Sequence, residues 1–322
     1  MTSSNDPSTA ENNSNSSESD MPPLRVDPSR LSTLKANIAS IHSRIQAATS
    51  SSQHPPRLVA VSKLKPATDI LALASSSSTS TENDSLQPPP QRHFGENYVQ
   101  ELLEKSKILW DAEHEGTKVG RRIRWHFIGG LQSNKATQLA RDAKGLWCVE
   151  SVDSEKKARG LSKGWEGREW LREEGQDVSA ANGAHDGEGD DGRLRIFIQV
   201  NTSGEENKSG VEPDSDELLT LAKCIRDDCS QTLKLQGLMT IGAIARSQAA
   251  KEGEENEDFV KLKEVRTWLA KELGLDGGEE ELELSMGMSD DFESAIRLGS
   301  SEVRIGSTIF GERPPRSEAK VV

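Results

Sequence analysis

Eight short apolar segments, separated by longer helix-like stretches, constrain the fold of this chain more than any other feature. Apolar runs that alternate with helices are typical of a parallel α/β architecture. Eight such units predict a single-domain (β/α)8 barrel of the TIM type. A doubly wound open sheet is the alternative, because the pattern by itself does not show that the sheet closes. The strand candidates are residues 57–62, 92–95, 124–128, 146–150, 194–200, 235–241, 282–286 and 302–305.

Three segments of biased composition lie outside this pattern. Residues 1–29 are rich in Ser, Asn, Asp and Pro and nearly free of apolar residues, so burial cannot offset the entropy of ordering them. We predict a disordered tail there and one barrel domain over residues 30–315. The Ser/Thr/Pro segment near 75–91 and the Gly/Glu/Asp segment near 173–192 are interpreted as insertions within that domain. Such insertions are tolerated because doubling the length of a loop costs only about 0.6 kcal/mol.

Charge and cysteine content narrow the class of protein. A net charge of −13 and a pI near 5.1 argue against a nucleic-acid-binding protein, which needs a basic face. The cysteines Cys148, Cys224 and Cys229 are odd in number and lack metal-ligand spacing, so we expect reduced thiols and no metal site. No apolar run approaches the roughly 20 residues of a membrane span, and no signal or transit peptide is recognisable. We expect a cytoplasmic protein without membrane contact, and leave a mitochondrial pool open.

Polar residues and glycines cluster directly after the strand candidates. In a parallel barrel all of these positions lie at one end, the carboxyl-terminal mouth, where such folds carry their chemistry. One pocket can therefore collect them. They are Ser62 and Lys63, Glu96 and Asn97, His126 with Gly129 and Gly130, residues 201–210, Thr240 and Gly242, residues 285–289, and Gly306 with Ser307.

Two of these clusters have the composition of a phosphate-binding site. Residues 285–289 and the pair Gly306 and Ser307 follow apolar strands with small residues whose backbone N–H groups are free, and a helix begins close behind the first loop. Lys63 lies at the end of another strand, which aims its amine toward the same mouth. A phosphate site together with such a lysine predicts pyridoxal phosphate as the ligand.

Lys63 differs from an ordinary surface lysine because the apolar residues 59–61 precede it. The strand places its ε-amine where burial can hold it partly neutral and nucleophilic. Lys65 would point the same way in an extended chain, but Pro66 favours the start of a helix. We therefore select Lys63 and interpret Lys65 as an accessory positive charge.

Three further side chains have two interpretations each. Arg304 lies two residues before Gly306 and either forms a structural ion pair or hydrogen-bonds the pyridine nitrogen of the cofactor. The second role would weaken the cofactor as an electron sink. His126 is either a core residue or a cofactor ligand, and Asn97 either caps the following helix or reaches the cofactor. All three are retained as candidate cofactor-binding residues.

Several long motifs in a characteristic order resemble the family of pyridoxal phosphate homeostasis proteins, the single-domain relatives of the alanine racemase N-terminal barrel. The similarity covers about residues 31–313. Gly130 stands where many members have Pro, which affects only the shape of that loop. The motifs are VAVSKLKP (59–66), FGENYVQEL (94–102), WHFIGGLQSNK (125–135), SVDS (151–154), VNTSGEENKSG (200–210), GLMTIG (237–242), SMGMSDDFESAI (285–296) and EVRIGSTIFG (302–311).

The resemblance implies a (β/α)8 barrel that carries pyridoxal 5'-phosphate as an internal aldimine on Lys63. It implies that Ser285, Gly306 and Ser307 hold the phosphate and that Arg304 faces the ring nitrogen. Members of the family are carriers or buffers of the cofactor in vitamin B6 homeostasis rather than enzymes. Apo forms of pyridoxal phosphate-dependent enzymes are the partners that this role implies, and we expect a monomer.

A pyridoxal phosphate-dependent enzyme such as an amino-acid racemase is the alternative function. Two-base racemisation needs a group on each face of the substrate α-carbon, and in alanine racemases the second base is a tyrosine from a separate β-domain. This chain has one tyrosine, Tyr98, near the second strand, and only a short segment follows the last strand candidate. We therefore favour the carrier over the enzyme, and rank a cofactor-independent aldolase-type barrel third.

Overall fold

The computed structural model describes residues 24–50, 54–75, 89–114, 117–170, 191–205, 208–243, 255–275 and 281–321. Residues 1–23 of the predicted tail lie outside these ranges. Most of the two predicted insertions, residues 76–88 and 171–190, lies outside them as well.

The strand candidates form eight parallel strands that close into one barrel. Each strand pairs with its neighbours in the sequence, and the last strand pairs with the first, with Arg57 opposite Glu302 and Ala60 opposite Ile305. This closure confirms the predicted barrel over the open sheet. The strands are β1 (Arg57–Val61), β2 (His93–Glu96), β3 (Arg124–Phe127), β4 (Leu146–Val152), β5 (Leu194–Gln199), β6 (Leu233–Met239), β7 (Glu283–Ser285) and β8 (Glu302–Ile305).

Helices lie between the strands and cover the outside of the barrel, as parallel strands require. One helix precedes β1, and a helix of a single turn follows β8. They are α1 (Pro28–Ala48), α2 (Ala67–Ala74), α3 (Val99–Trp110), α4 (Ser133–Asp142), α5 (Glu155–Glu166), α6 (Asp216–Lys223), α7 (Glu257–Glu272), α8 (Phe292–Arg297) and α9 (Ser307–Phe310). Within the described part of the chain, no helix combines the length and apolar character needed to cross a membrane.

Helix α1 is capped at its start by Asp27, and it contacts the segment that follows the last strand of the barrel. The Asp27 carboxylate accepts the Arg30 N–H at 2.8 Å, which satisfies one of the free donors at the helix start. The buried face of α1 consists of residues three or four positions apart, and it packs against α2, α8 and α9. Asn37 Nδ2 donates to Ile309 O at 2.9 Å, so α1 also fixes the segment that follows β8. The buried residues are Leu34, Ile38, Ile41 and Ile45.

The barrel strands carry fully buried polar side chains among their apolar ones. All seven residues of β4 are buried, and Glu150 is one of them. His126, Ser285 and Glu302 are likewise inaccessible to solvent. Because a buried charge is costly unless it is paired, these side chains must satisfy one another inside the barrel.

Candidate functional site

Lys63 lies at the mouth of the barrel, directly after β1, and its side chain is half-buried. Burial lowers the pKa of its amine, and the nearby charge of Arg313 lowers it further. Within the described ranges, the amine takes part in no hydrogen bond or ion pair. A lysine with a lowered pKa and no partner is available as a nucleophile toward a carbonyl group.

The turn that presents Lys63 is held by a carboxylate from α3. Leu64 has a φ of 62°, a left-handed conformation that costs a residue with a side chain about 1–3 kcal/mol. Its backbone N–H donates to Glu101 Oε1 at 2.6 Å. This hydrogen bond stabilises the turn and so fixes the direction in which the neighbouring Lys63 leaves the backbone.

A buried cluster of polar groups supports the same turn from below. Lys105 is fully buried, and its amine donates to Ser62 O at 2.8 Å, to Glu96 Oε1 at 2.8 Å and to Glu101 Oε1 at 2.6 Å. Ser62 Oγ also donates to Glu96 Oε1 at 2.6 Å, whereas Glu96 Oε2 has no partner within the described ranges. Burial raises the pKa of Glu96 to about 7, although the charge of Lys105 opposes the increase. Glu96 can therefore gain or lose a proton near neutral pH.

Asn97 follows β2 at the same mouth, and its side chain has no capping role. The N-cap position of α3 is Tyr98, which makes no side-chain capping bond, so the interpretation of Asn97 as a helix cap finds no support. Asn97 Oδ1 is buried and has no hydrogen-bond partner among the described residues. A Cβ on Gly129 would collide with Asn97 O, so only glycine lets the loop after β3 approach this residue. An unsatisfied buried carbonyl of this kind calls for a partner.

The two predicted phosphate loops meet at Ser289. The Gly306 N–H and the Ser307 hydroxyl each lie 3.4 Å from Ser289 Oγ, so these hydrogen bonds are long and weak. A Cβ on Gly306 would lie 3.2 Å from Val61 O and would meet the guanidinium of Arg313. A side chain at position 306 would therefore displace the Arg313 guanidinium and crowd Val61 of β1.

Arg304 is buried within β8 and reaches across the barrel. Its Nη1 donates to Ser285 Oγ at 2.5 Å, and its Nη2 donates to Thr240 O at 2.8 Å. The Glu150 carboxylate lies 3.7 Å from Nη1. The contact with Glu150 agrees with the interpretation of Arg304 as part of an ion pair. The two hydrogen bonds of Arg304 fix the plane of its guanidinium.

Ser285 lies deeper than the sequence pattern indicates. Its hydroxyl donates to Glu150 Oε2 at 2.7 Å and lies 3.0 Å from Glu302 Oε1, in addition to accepting from Arg304. The hydroxyl therefore belongs to the group around Arg304 rather than to the Ser289 loop contacts. A phosphate-binding role for Ser285 remains a prediction.

His126 lies in the barrel interior between two polar neighbours. Its Nδ1 is 2.8 Å from Glu150 Oε1, and its Nε2 is 2.8 Å from His93 Nδ1. Burial lowers the pKa of both imidazoles, so we assign them as neutral. These contacts are those of a satisfied core residue, and His126 reaches Arg304 only through Glu150.

Glu150 and Glu302 form a buried carboxyl pair whose pKa values shift in opposite directions. Burial opposes ionisation of Glu150, but hydrogen bonding by His126 and the charge of Arg304 lower its pKa to about 2. Burial and the negative charge of Glu150 raise the pKa of Glu302 well above its ordinary value. The raised pKa favours the protonated form of Glu302, whereas Arg57 Nη1, which donates to Glu302 Oε2 at 3.0 Å, favours its charged form.

One cluster in the interior has the ligand types of a metal site. His126, Cys148 and Glu150 have ligand atoms within 4.8 Å of one another. Burial raises the pKa of the Cys148 thiol well above its ordinary value, and His126 Nδ1 already contacts Glu150. His126 and Glu150 satisfy each other in this arrangement, so neither side chain requires a metal ion as its partner.

Sequence reasoning missed four residues of the site, namely Ser289, Glu101, Lys105 and Arg313. Ser289 lies within the predicted loop 285–289 but was not selected. Glu101 and Lys105 are four positions apart on α3, a charge spacing that marks a helix face and could have found them. Arg313 has no local signal, because its relation to Gly306 depends on the path of the chain after α9.

The geometry of the barrel agrees with a known family. The sequence model of the alanine racemase N-terminal domain matches residues 30–314, so the chain has the barrel of that domain family. An alanine racemase from Corynebacterium glutamicum shares this fold, with a TM-score of 0.53 and 15% identity over 91% of this chain and 65% of that chain.

Sequence identity is higher with proteins named for pyridoxal phosphate homeostasis. A pyridoxal phosphate homeostasis protein of Caenorhabditis elegans is 44% identical over 257 residues, which are 80% of this chain and 86% of the relative. That of Schizosaccharomyces pombe is 38% identical over 291 residues, 90% of this chain and 98% of the relative. The chain therefore belongs to the pyridoxal phosphate homeostasis protein family, which confirms the resemblance seen in its motifs.

Solved structures of similar proteins include one with the cofactor. PipY of Synechococcus elongatus with pyridoxal phosphate bound has a TM-score of 0.54 and 25% identity, over 86% of this chain and 100% of that chain. A protein of unknown function from Bifidobacterium adolescentis has a TM-score of 0.59 and 26% identity, over 89% of this chain and 98% of that chain.

Proposed function

We propose that this protein binds pyridoxal 5'-phosphate through Lys63 and serves the homeostasis of that cofactor as a carrier or buffer. The observation that carries the proposal is the Lys63 amine, which has a lowered pKa and no partner within the described ranges. The names of the curated relatives and the cofactor in PipY support the same ligand.

The residues at the mouth fit this cofactor. The Ser289, Gly306 and Ser307 groups offer hydrogen-bond donors to a phosphate, and their mutual contacts are weak enough to be exchanged. The buried Oδ1 of Asn97 offers an unused acceptor beside the site of Lys63. When bound, pyridoxal phosphate supplies an aldehyde that reacts reversibly with amines.

Arg304 would face the ring nitrogen in this proposal. An arginine stays protonated and can only donate hydrogen bonds, so the nitrogen opposite it must accept one and remain unprotonated. Ser285, Thr240 and Glu150 hold the guanidinium in place. An unprotonated ring nitrogen makes the cofactor a weak electron sink, which favours storage of the cofactor over amino-acid chemistry.

A racemase is the competing function, and the position of Tyr98 bears on it. Tyr98 is the one tyrosine of the sequence, and the guanidinium of Arg316 covers its ring at 4.3 Å. A cation over the ring face leaves the phenol hydroxyl unaffected as a proton-exchanging group, so this contact does not decide between the two functions. The names of the curated relatives favour a homeostasis protein over an enzyme.

The test of the proposal compares two neighbouring lysines. Purified wild-type protein is expected to absorb visible light from bound cofactor, and Lys63→Ala is expected to lose this band. Lys65→Ala is the comparison variant and should largely keep the band, because Lys65 also has a pKa lowered by burial but its amine is engaged with Glu312 O and is not the attached lysine. Borohydride reduction followed by peptide mapping identifies the attached lysine. Attachment at Lys65 would overturn the assignment.

Release and turnover separate a carrier from an enzyme. The loaded protein is expected to lose its visible band when mixed with an apo form of a pyridoxal phosphate-dependent enzyme, which gains activity in return. α-Proton exchange in heavy water over a panel of amino acids measures turnover. Exchange at about 1 per second, the lower end of typical enzymes, would place the protein among the enzymes instead.

A further inference from the structure

The chain does not stop at the barrel after α9 but returns across the mouth. We call residues 312–321 the C-terminal strap. Lys65 Nζ donates to Glu312 O at one end of the strap, and Ala67 N–H donates to Val321 O at 2.7 Å at the other. Between these points Arg316 lies over the ring of Tyr98. The strap is thus fixed to the segment that follows Lys63 and to the start of α3.

Arg313 is the strap residue that enters the site. The position of a Cβ on Gly306 falls on the Arg313 guanidinium, so this side chain contacts the loop that carries Ser307. Its charge also acts on Lys63 and on Tyr98. Arg313 therefore lies between the lysine and the loop that the proposed function assigns to the two ends of the cofactor.

Among the described residues, no carboxylate forms an ion pair with Arg313. Within the described ranges Arg313 makes no ion pair or hydrogen bond, whereas Arg30 pairs with Asp69 at 2.6 Å and Arg57 pairs with Glu283 at 2.8 Å. Carboxylates raise the pKa of Arg30 and of Arg57, while burial lowers that of Arg313. An arginine that is partly desolvated without an anion is placed to receive one.

The charge of the whole chain makes such a cation necessary for a phosphate. The net charge of −13 repels anions at long range, and a phosphate monoester carries nearly two negative charges at neutral pH. The hydroxyls of Ser289 and Ser307 and the N–H of Gly306 are uncharged donors. Only a positive side chain at their side offsets this repulsion.

We propose that Arg313, held by the C-terminal strap, is the charged ligand of a phosphate at the Gly306 loop and selects phosphorylated over unphosphorylated ligands. This inference rests on the proposed function, because it concerns the same site. It assigns the strap a role in ligand selection, and it assigns Lys65 the role of anchoring the strap through Glu312 rather than contacting the ligand.

The experiment compares two arginines of the strap with two ligands. Dissociation constants of pyridoxal phosphate and of pyridoxal are measured for wild type, Arg313→Gln and Arg316→Gln. Arg313→Gln is expected to weaken the binding of pyridoxal phosphate by about 10- to 100-fold, which is the contribution of a hydrogen bond between charged groups. The same variant should weaken the binding of pyridoxal by less than about threefold. Arg316→Gln is the matched control and should leave the ratio between the ligands unchanged.

A second measurement does not depend on the cofactor. Because the positive charge of Arg313 disfavours the charged form of Lys63, its removal is expected to raise the pKa of that amine. The pH dependence of trinitrophenylation of Lys63 in the apo protein reports this pKa. Arg313→Lys should keep the pKa near that of wild type.

The outcomes separate the two proposals. Equal weakening of both ligands by Arg313→Gln, or no weakening of either, would overturn the role of Arg313 while leaving Lys63 as the cofactor lysine. Failure of wild type to bind either ligand would overturn the proposed function itself. Selective weakening of pyridoxal phosphate by Arg316→Gln as well would show that the strap acts as a whole and that Arg313 has no special role.

Discussion

In the barrel interior Glu150 contacts His126, Ser285 and Arg304, whereas at the mouth neither Lys63 nor Arg313 has a partner within the described ranges. The interior needs no ligand to satisfy Arg304, because Ser285, Thr240 and Glu150 already contact its guanidinium. The mouth has two cations and several weak donor contacts, and it needs an anion to be complete.

This difference shows how one barrel can be rigid and still exchange its ligand. The interior fixes the guanidinium of Arg304 through Ser285 and Thr240, and this arrangement requires no change when a ligand arrives. Under the proposed function, the mouth would exchange the long hydrogen bonds at Ser289 for shorter ones to the ligand. Fixed polar groups in the interior and exchangeable hydrogen-bond donors at the mouth suit the proposed role, in which a cofactor must be both held and released.

The largest expected effect comes from breaking the interior. Glu150→Ala leaves His126 and Ser285 without their acceptor and Arg304 without its nearby negative charge. Loss of one partner from a buried charged group costs about 3–5 kcal/mol in the free energy of unfolding. Urea denaturation measures this loss, and Glu150→Gln, which keeps an acceptor, should lose less. A loss below about 1 kcal/mol for Glu150→Ala would contradict the view that the interior depends on this carboxylate.

Glu96, which lies between the interior and the mouth, should affect how the stability of the protein depends on pH. Burial raises the pKa of Glu96 from its ordinary value to about 7, so between these two pH values the folded state keeps a proton that the unfolded state has released. The contribution of Glu96 to stability therefore falls as the pH rises through this window, by at most about 1.4 kcal/mol per pH unit.

Glu96→Gln is expected to remove this contribution from the curve of unfolding free energy against pH. Glu104→Gln is the control, because Glu104 is exposed on α3 and hydrogen-bonds only Gln100 among the described residues, whereas Glu96 is buried in β2. Identical curves for wild type and Glu96→Gln would show that Glu96 is ionised throughout the window.

At the mouth, a change of charge should affect the ligand more than the fold. Ser307→Asp places a carboxylate where a phosphate is expected, and we predict that pyridoxal phosphate binds at least about tenfold more weakly, from like-charge repulsion. The exposed position limits the change in unfolding free energy to about 0.5 kcal/mol. Equilibrium dialysis and urea denaturation measure the two quantities. Ser307→Ala, which adds no charge, should change binding much less, and equal effects of both variants would place the phosphate elsewhere.

The smallest effect is expected outside both regions. Deletion of residues 1–23, which the sequence composition predicts to be disordered, should leave cofactor affinity and Tm unchanged. The cut is placed before Leu24, because this residue packs against the core. A decrease of several degrees in Tm on calorimetry would mean that the deleted residues stabilise the barrel.

Strand positions were predictable because apolar segments in this fold need burial wherever they lie. The prediction of 235–241 was displaced by two residues from β6, which runs from Leu233 to Met239. The Leu194 N–H donates to Thr232 O and Leu194 lies opposite Leu233, so pairing with β5 determines where β6 begins. Such pairing depends on residues far away in the sequence, and local hydrophobicity does not contain it.

The same limit applies to the site. The rule that chemistry follows the ends of parallel strands placed Lys63, Asn97 and Gly306 at one mouth. The rule does not give the direction of a hydroxyl, so the turn of Ser285 toward Glu150 was not foreseen. Arg313 was missed for a related reason, since its contact with Gly306 follows from the return of the strap.

The pairing of β1 with β8 joins the part of the barrel that is synthesised first to the part that is synthesised last. Lys63 follows the first strand of the barrel, while Gly306 and Arg313 follow the last strand. A ribosome therefore makes one side of the mouth early in translation and the other side near its end. Contacts so distant in sequence form late. Under the proposed function, a nascent chain would therefore complete its phosphate site only after residues beyond 300 have been made.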